Sequence, residues 1–255
     1  MSAPARMSRR GALAALTSLA VAGRAAGRPR ARGRVLLVSG GAGAHDKHQT
    51  AVALHALGER LRASSEVVQV EWPRGFSGFQ SVVLYCEGGQ QHPLTDQAHL
   101  DALSAHVAGG GGLVVLHSAL VLEGSAGQRL RSWLGGGFSP ERSRLPEVAW
   151  PAAVPRFPAH PITRGLTPFT VEDEWFLGLE AEPAATPVLT ATPPEAATRG
   201  PLRPELLAWA YQRPGGGRSF AFAGGHYRAA WQRPEILRLL TSATLWTAGV
   251  ESPAG

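Results

Sequence analysis

Gly112-Leu113-Val114-Val115-Leu116-His117 is an unbroken apolar run that ends on an ionisable ring. Five residues with no polar member read as a strand covered on both faces, which is how strands sit in a parallel sheet packed between helices. Two further runs end in the same way. Val35-Leu36-Leu37-Val38 leads through glycines to His45-Asp46, and Ser219-Phe220-Ala221-Phe222-Ala223-Gly224-Gly225 leads to His226. As strands of one parallel sheet, the three runs deliver their histidines to one edge. Open parallel sheets bind ligands there, beyond the carboxyl ends of the strands.

Working outward from these runs, strand and helix patterns alternate. A helix is expected from Gln49 to Ala63, with Leu54, Leu57 and Leu61 on one face, followed by strands at Val67–Val70 and Ser81–Tyr85. Thr95 is the expected N-cap of a helix whose inner face carries Leu100, Leu103 and Val107, with Gly109 closing it. Later come strands at Glu205–Tyr211 and Ser219–Ala223, then a last helix opened by Pro234 and closed by Gly249. Alternation at this spacing implies parallel β-α-β units in an α/β fold with a single domain. The Pro/Gly-rich stretches 135–161 and 183–204 read as long surface excursions, and pattern determines little across 120–200.

The first residues follow a different plan. Ser8-Arg9-Arg10 precedes the apolar stretch Ala12 to Ala22, and small residues around Ala22 to Ala26 offer a cleavage site. Paired arginines before a modest apolar region are the pattern of twin-arginine export. The apolar stretch is about 11 residues, short of the roughly 20 that a membrane span needs, so no stable span is expected after processing. Residues 1–27 are therefore expected to be a signal peptide and 28–33 a basic neck. The folded domain is expected over 34–250, with 251–255 a tail and the mature protein periplasmic or extracellular.

This division changes the reading of charge. The chain of 255 residues has a formal net charge of +6, but residues 1–34 hold eight arginines and no acid, so residues 35–255 carry −2. A nucleic-acid surface needs basic residues clustered on the folded domain, and no nucleic-acid partner is expected. The single cysteine, Cys86, excludes an internal disulfide and a cysteine-based zinc cluster.

Several residue groups have the chemistry of a site. Gly40-Gly41-Ala42-Gly43-Ala44-His45-Asp46 follows a strand and precedes a helix, where the backbone N–H groups of Gly41 and Gly43 can meet a hydroxylated or anionic ligand. It lacks the G-x-G-x-x-G spacing of a dinucleotide fold, and no nucleotide cofactor is expected. His117, directly after its strand, can serve as acid, base or metal ligand. Ser118 lacks the flanking glycines of G-x-S-x-G and is not expected to be a nucleophile. Glu172-Asp173-Glu174 precedes Trp175-Phe176, and carboxylates beside aromatic rings suit a sugar. Gly225-His226-Tyr227 repeats the strand-glycine-histidine pattern. Together, His45, Asp46, His117 and His226 have the residue types for a zinc or manganese site.

Taken in order, Leu36 to Gly41 with His45-Asp46, Gly109 to Ala119, Gly135-Gly136-Gly137-Phe138, His160-Pro161-Ile162-Thr163-Arg164-Gly165-Leu166, Asp173-Glu174, and Gly225-His226 through Leu245-Trp246-Thr247-Ala248-Gly249 resemble the trehalose-utilisation (ThuA-like) family. The resemblance implies a flavodoxin-like three-layer sandwich similar to class I glutamine amidotransferases. It also implies a place in disaccharide and keto-sugar metabolism. The amidotransferases need a cysteine after the central strand, and this chain has His117-Ser118 there, so glutamine hydrolysis is not expected. The resulting expectation is an exported enzyme that isomerises a sugar or keto-sugar or cleaves a keto-glycoside, with no cofactor or with a divalent metal. In it, His117, His226, Asp173 and Glu174 are catalytic and Gly41, Gly43, Trp175 and Tyr227 bind substrate. A noncatalytic sugar-binding module is the alternative.

Overall fold

The computed structural model describes Met1, residues 32–40 and residues 47–250. The expected leader over 1–27, most of the neck, the tail 251–255 and the loop residues 41–46 lie outside the described residues.

One compact unit begins at Arg32. Its strands are β1 (Gly33–Val38), β2 (Ser65–Val70), β3 (Ser81–Leu84), β4 (Gly112–Leu116), β5 (Gly136–Gly137), β6 (Trp150–Val154), β7 (Phe169–Asp173), β8 (Glu180–Ala181), β9 (Thr186–Ala191), β10 (Glu205–Gln212) and β11 (Arg218–Phe222). Its helices are α1 (Lys47–Leu61), α2 (Gln97–Ala108), α3 (Gly124–Leu134), α4 (Arg228–Trp231) and α5 (Pro234–Thr247). The main sheet runs β2-β1-β3-β4-β11-β10-β9. Its first five strands are parallel, and β10 turns back antiparallel to both β11 and β9.

Register places the site. Val38 pairs with Leu84, Leu84 with Val115, and Phe222 with Leu116, so β1, β3, β4 and β11 finish at one level. Every residue of β4 is buried, as an unbroken apolar run requires when both faces are covered. Helices α1, α4 and α5 touch one another as one layer, while α2 and α3 meet through Arg129 and Ser104. Leu54, Leu57 and Leu61 of α1 are fully buried, each contributing about 2 kcal/mol by leaving water. No described helix is long and apolar enough to cross a membrane.

Local chemistry corrects several boundaries. The N-cap of α2 is Asp96, not Thr95: its carboxylate accepts from the N–H groups of Ala98 and His99 at 2.8 and 3.1 Å, adding negative charge at the helix start. Thr95 instead donates to the His92 carbonyl at 2.8 Å. At the other end of α2, Gly109 keeps an ordinary φ of −73° and the left-handed residue is Gly110, at +81°. Pro234 does open α5, and Gly249 follows its end at φ +71°.

The largest departure is in the middle third. The stretch 183–204 is not wholly a surface excursion, because it supplies β9, the last strand of the main sheet. Pro187 hides that strand from a composition reading, yet proline is tolerated on a sheet edge, where its missing N–H costs no ladder bond. Likewise, 135–161 contributes β6, which pairs with β7 and buries Trp150 completely.

Beside β3, buried His92 joins two loops. Its Nδ1 accepts from the Leu94 N–H at 3.0 Å and its Nε2 donates to the Ala119 carbonyl at 3.1 Å, so the neutral ring uses both nitrogens. Burial lowers its pKa to about 4. Between that value and 6.5, the unfolded chain binds a proton that the native ring refuses. Stability present above pH 6.5 is therefore lost as pH falls toward 4. The expected loss is about 2 kcal/mol between pH 7 and pH 4.5. His92→Asn keeps an acceptor for Leu94 but cannot titrate, so urea unfolding at the two pH values should show that increment in wild type and not in the variant.

Candidate functional site

His117 is the first residue after β4 and takes a left-handed φ of +50°, the one non-glycine residue to do so among the described residues. Such a conformation costs about 1 kcal/mol or more and persists only where surroundings enforce it. Here they do. Residues His117–Leu120 form a buried turn, Ser118 donates its hydroxyl to the Cys86 carbonyl at 2.8 Å, and Phe176 stacks on the His117 ring at 4.9 Å. His117 Nδ1 donates to the Ala223 carbonyl at 2.9 Å, which fixes the tautomer and leaves the Nε2 lone pair for the site.

His226 arrives from β11 through two glycines that have packing reasons. A Cβ on Gly224 would stand 2.4 Å from the Trp175 ring, and Gly225 has φ +101°. Asp173, at the end of β7, fastens this turn. Its fully buried carboxylate accepts from the N–H groups of Gly225 at 2.6 Å, Glu174 at 2.9 Å, His226 at 3.0 Å and Tyr227 at 3.3 Å. Burial pushes the Asp173 carboxyl up, while those N–H groups and the charge of His226 push it back. The Gly225 carbonyl, in turn, accepts from the Tyr85 hydroxyl at 2.5 Å and from the Trp231 indole at 2.9 Å.

The result is a triangle of donor atoms. His117 Nε2 and His226 Nδ1 lie 3.0 Å apart, and Glu174 Oε2 lies 3.5 Å from the first and 3.2 Å from the second. Glu174 is the foremost cause of a raised His226 pKa; the charges of Asp173 and Glu87 add to it and partial burial opposes it. Among the described residues, these three form the one group of histidine, cysteine and acidic side chains close enough to share a metal ion. Ligand atoms held at 2.0–2.1 Å around a tetrahedral zinc are about 3.3 Å apart, close to all three edges. Two imidazoles and one carboxylate also suit manganese and iron(II). The His117 ring is fully buried, whereas His226 and Glu174 are 29% and 26% exposed, so the triangle is sealed behind and open in front.

The other expected site residues divide into three groups. Gly41, Gly43, His45 and Asp46 lie outside the described residues, although Gly40, which leads into them, presses against the Glu71 carbonyl at the end of β2. Tyr227 is 41% exposed, and its ring meets that of His226 edge to face at 4.7 Å. Asp173 and Trp175 lie buried behind the triangle. Asp173 spends its oxygens on backbone N–H groups, and Trp175 is fully buried, packed edge-on against Phe222 and donating to the Val171 carbonyl at 3.3 Å.

Glu87 was missed by the sequence reading. It follows β3 at the same sheet edge and is half-buried, near enough for its charge to raise His226. The signal was available, since it is the third residue beyond a strand that ends level with β4.

A family model described as trehalose utilisation (ThuA) matches residues 34–247. The chain belongs to the ThuA family. Two solved ThuA-like proteins share the fold. The one from Parabacteroides merdae has a TM-score of 0.69 at 20% identity, covering 86% of this chain and 91% of its own. The one from Bacteroides uniformis has a TM-score of 0.66 at 16% identity, covering 88% and 95%. No curated protein matches the chain. ThuA membership fits the amidotransferase-like α/β fold and supports a role in carbohydrate metabolism. In this ThuA protein Cys86, two residues beyond β3, is buried, with its thiol pKa pushed up by burial. The hydroxyl beside the elbow, on Ser118, is already engaged with a carbonyl.

Proposed function

We propose that this ThuA protein is a metal-dependent enzyme acting on a keto-sugar, by isomerisation or by cleavage of a keto-glycoside. The near-equilateral triangle of His117, Glu174 and His226 carries the reading. These residues would hold a divalent cation, zinc or manganese by the donor set. A cation bound there would polarise the sugar carbonyl, and no nucleotide or redox cofactor is required.

The remaining work falls to the chain itself. Tyr227 offers a ring face to the C–H surface of a sugar beside the open side of the triangle. Glu87 accepts the proton from the carbon next to the carbonyl, which the carbonyl has made acidic. In isomerisation it returns that proton to the former carbonyl carbon while the neighbouring hydroxyl proton passes to the former carbonyl oxygen; in cleavage a C=C bond forms as the glycosidic C–O bond breaks and the proton goes to the departing oxygen, and neither course changes the net oxidation state. Asp173 keeps His226 and Tyr227 in register through their N–H groups. We read residues 1–27 as a twin-arginine leader that delivers the enzyme to the periplasm or beyond.

Glu87→Gln removes the proton acceptor and leaves the triangle intact. The expected result is about a 100-fold or larger fall in kcat on 3-keto-disaccharides, with bound metal unchanged. A noncatalytic sugar-binding module would instead turn over no keto-sugar in wild type, which would overturn the proposal directly.

A further inference from the structure

At the opposite end of β11 from the histidines, the turn 213–217 borders an open cavity. Ser104, Val107 and Ala108 of α2, Arg129 and Trp133 of α3, and Arg213 with the turn glycines line about 370 Å³. Its charge is one-sided, with two arginines and no acid. Arg213 is buried, and neutral oxygens hold its guanidinium. Nε donates to the Gly216 carbonyl at 3.2 Å, Nη1 to the Arg218 carbonyl at 3.1 Å and to the Ser219 hydroxyl, and Nη2 to the Gly111 carbonyl. One of its five N–H groups is left without an acceptor among the described residues. Burial lowers its pKa, as expected of a cation removed from water without a counter-ion. Arg129, exposed at the mouth, is held by the Ser104 hydroxyl at 3.2 Å and likewise has no carboxylate partner among the described residues.

A buried charge is ordinarily paired, and this one has no anion among the described residues. The end of α2 does not supply one, because the N–H groups of Gly109, Gly110 and Gly111 take up the carbonyls of Ala105, Val107 and His106. Trp133, Val107 and Ala108 give the lining an apolar side. We propose that this cavity binds an oxyanion carried on a small apolar body, a phosphate ester or a carboxylate, with Arg213 and Arg129 receiving the charge and Trp133 the body. The site is separate from the histidine triangle and does not depend on how that triangle works.

Titration calorimetry on the full-length, EDTA-treated protein with phenyl phosphate and with benzoate tests it, using benzyl alcohol as the neutral control. At least one anion should bind saturably at one site, and the tighter of the two identifies the head group. Arg129→Gln, a surface change that leaves the fold intact, should weaken binding about tenfold or more, whereas His226→Ala should leave it unchanged. Equal binding by Arg129→Gln, equal binding of benzyl alcohol, dependence on His226 or no saturable anion binding would each overturn the proposal.

Discussion

Replacing His226 with alanine should lower turnover of 3-keto-disaccharides by about 1000-fold or more while leaving the melting temperature within a few degrees of wild type. The two halves of this expectation have separate causes. His226 supplies one of three donor atoms, and the other two, His117 Nε2 and Glu174 Oε2, lie 3.5 Å apart. A site that loses one of three protein ligands loses most of its hold on a metal. The ring is nevertheless partly exposed, and its backbone N–H, the group that joins Asp173, survives the substitution. Steady-state kinetics beside a thermal melt measures both. Turnover within tenfold of wild type would remove His226 from the chemistry.

The second large effect is on stability. Asp173→Asn should destabilise the fold by about 3–5 kcal/mol, although it changes no shape. All four groups that contact the carboxylate are N–H donors, and an amide must turn its own NH2 toward at least one of them. For a domain of this size, the expected fall in melting temperature is about 10 °C. Activity should fall as well, since the turn that Asp173 fastens presents both His226 and Tyr227. An unchanged melting temperature would show that solvent, not the carboxylate, satisfies those N–H groups.

The difference between these residues explains what the sequence made legible. Strands covered on both faces announce themselves by unbroken apolar runs, so β1, β4 and β11 were readable, and with them the edge at which His117 and His226 meet. The triple acid 172–174 was visible as a group, but its division of labour was not. Adjacent residues at a strand end point in opposite directions, so Asp173 turns into the Gly225–Tyr227 turn while Glu174 turns to the histidines. The burial of Trp175 was equally invisible, because its ring fills the space that Gly224 leaves open. The strand β9 stayed hidden because Pro187 is a breaker in composition and harmless on an edge. Glu87 was overlooked because β3 does not run directly into a histidine, although pairing puts β3 beside β4.

The central claim is that His117, Glu174 and His226 hold one divalent cation, and elemental analysis of the purified, tag-free protein tests it most directly. About one zinc or manganese per chain in wild type is predicted, falling to near zero in folded His226→Ala. Wild type that binds no metal after incubation with zinc or manganese, or a His226→Ala protein that retains a full equivalent, would contradict it.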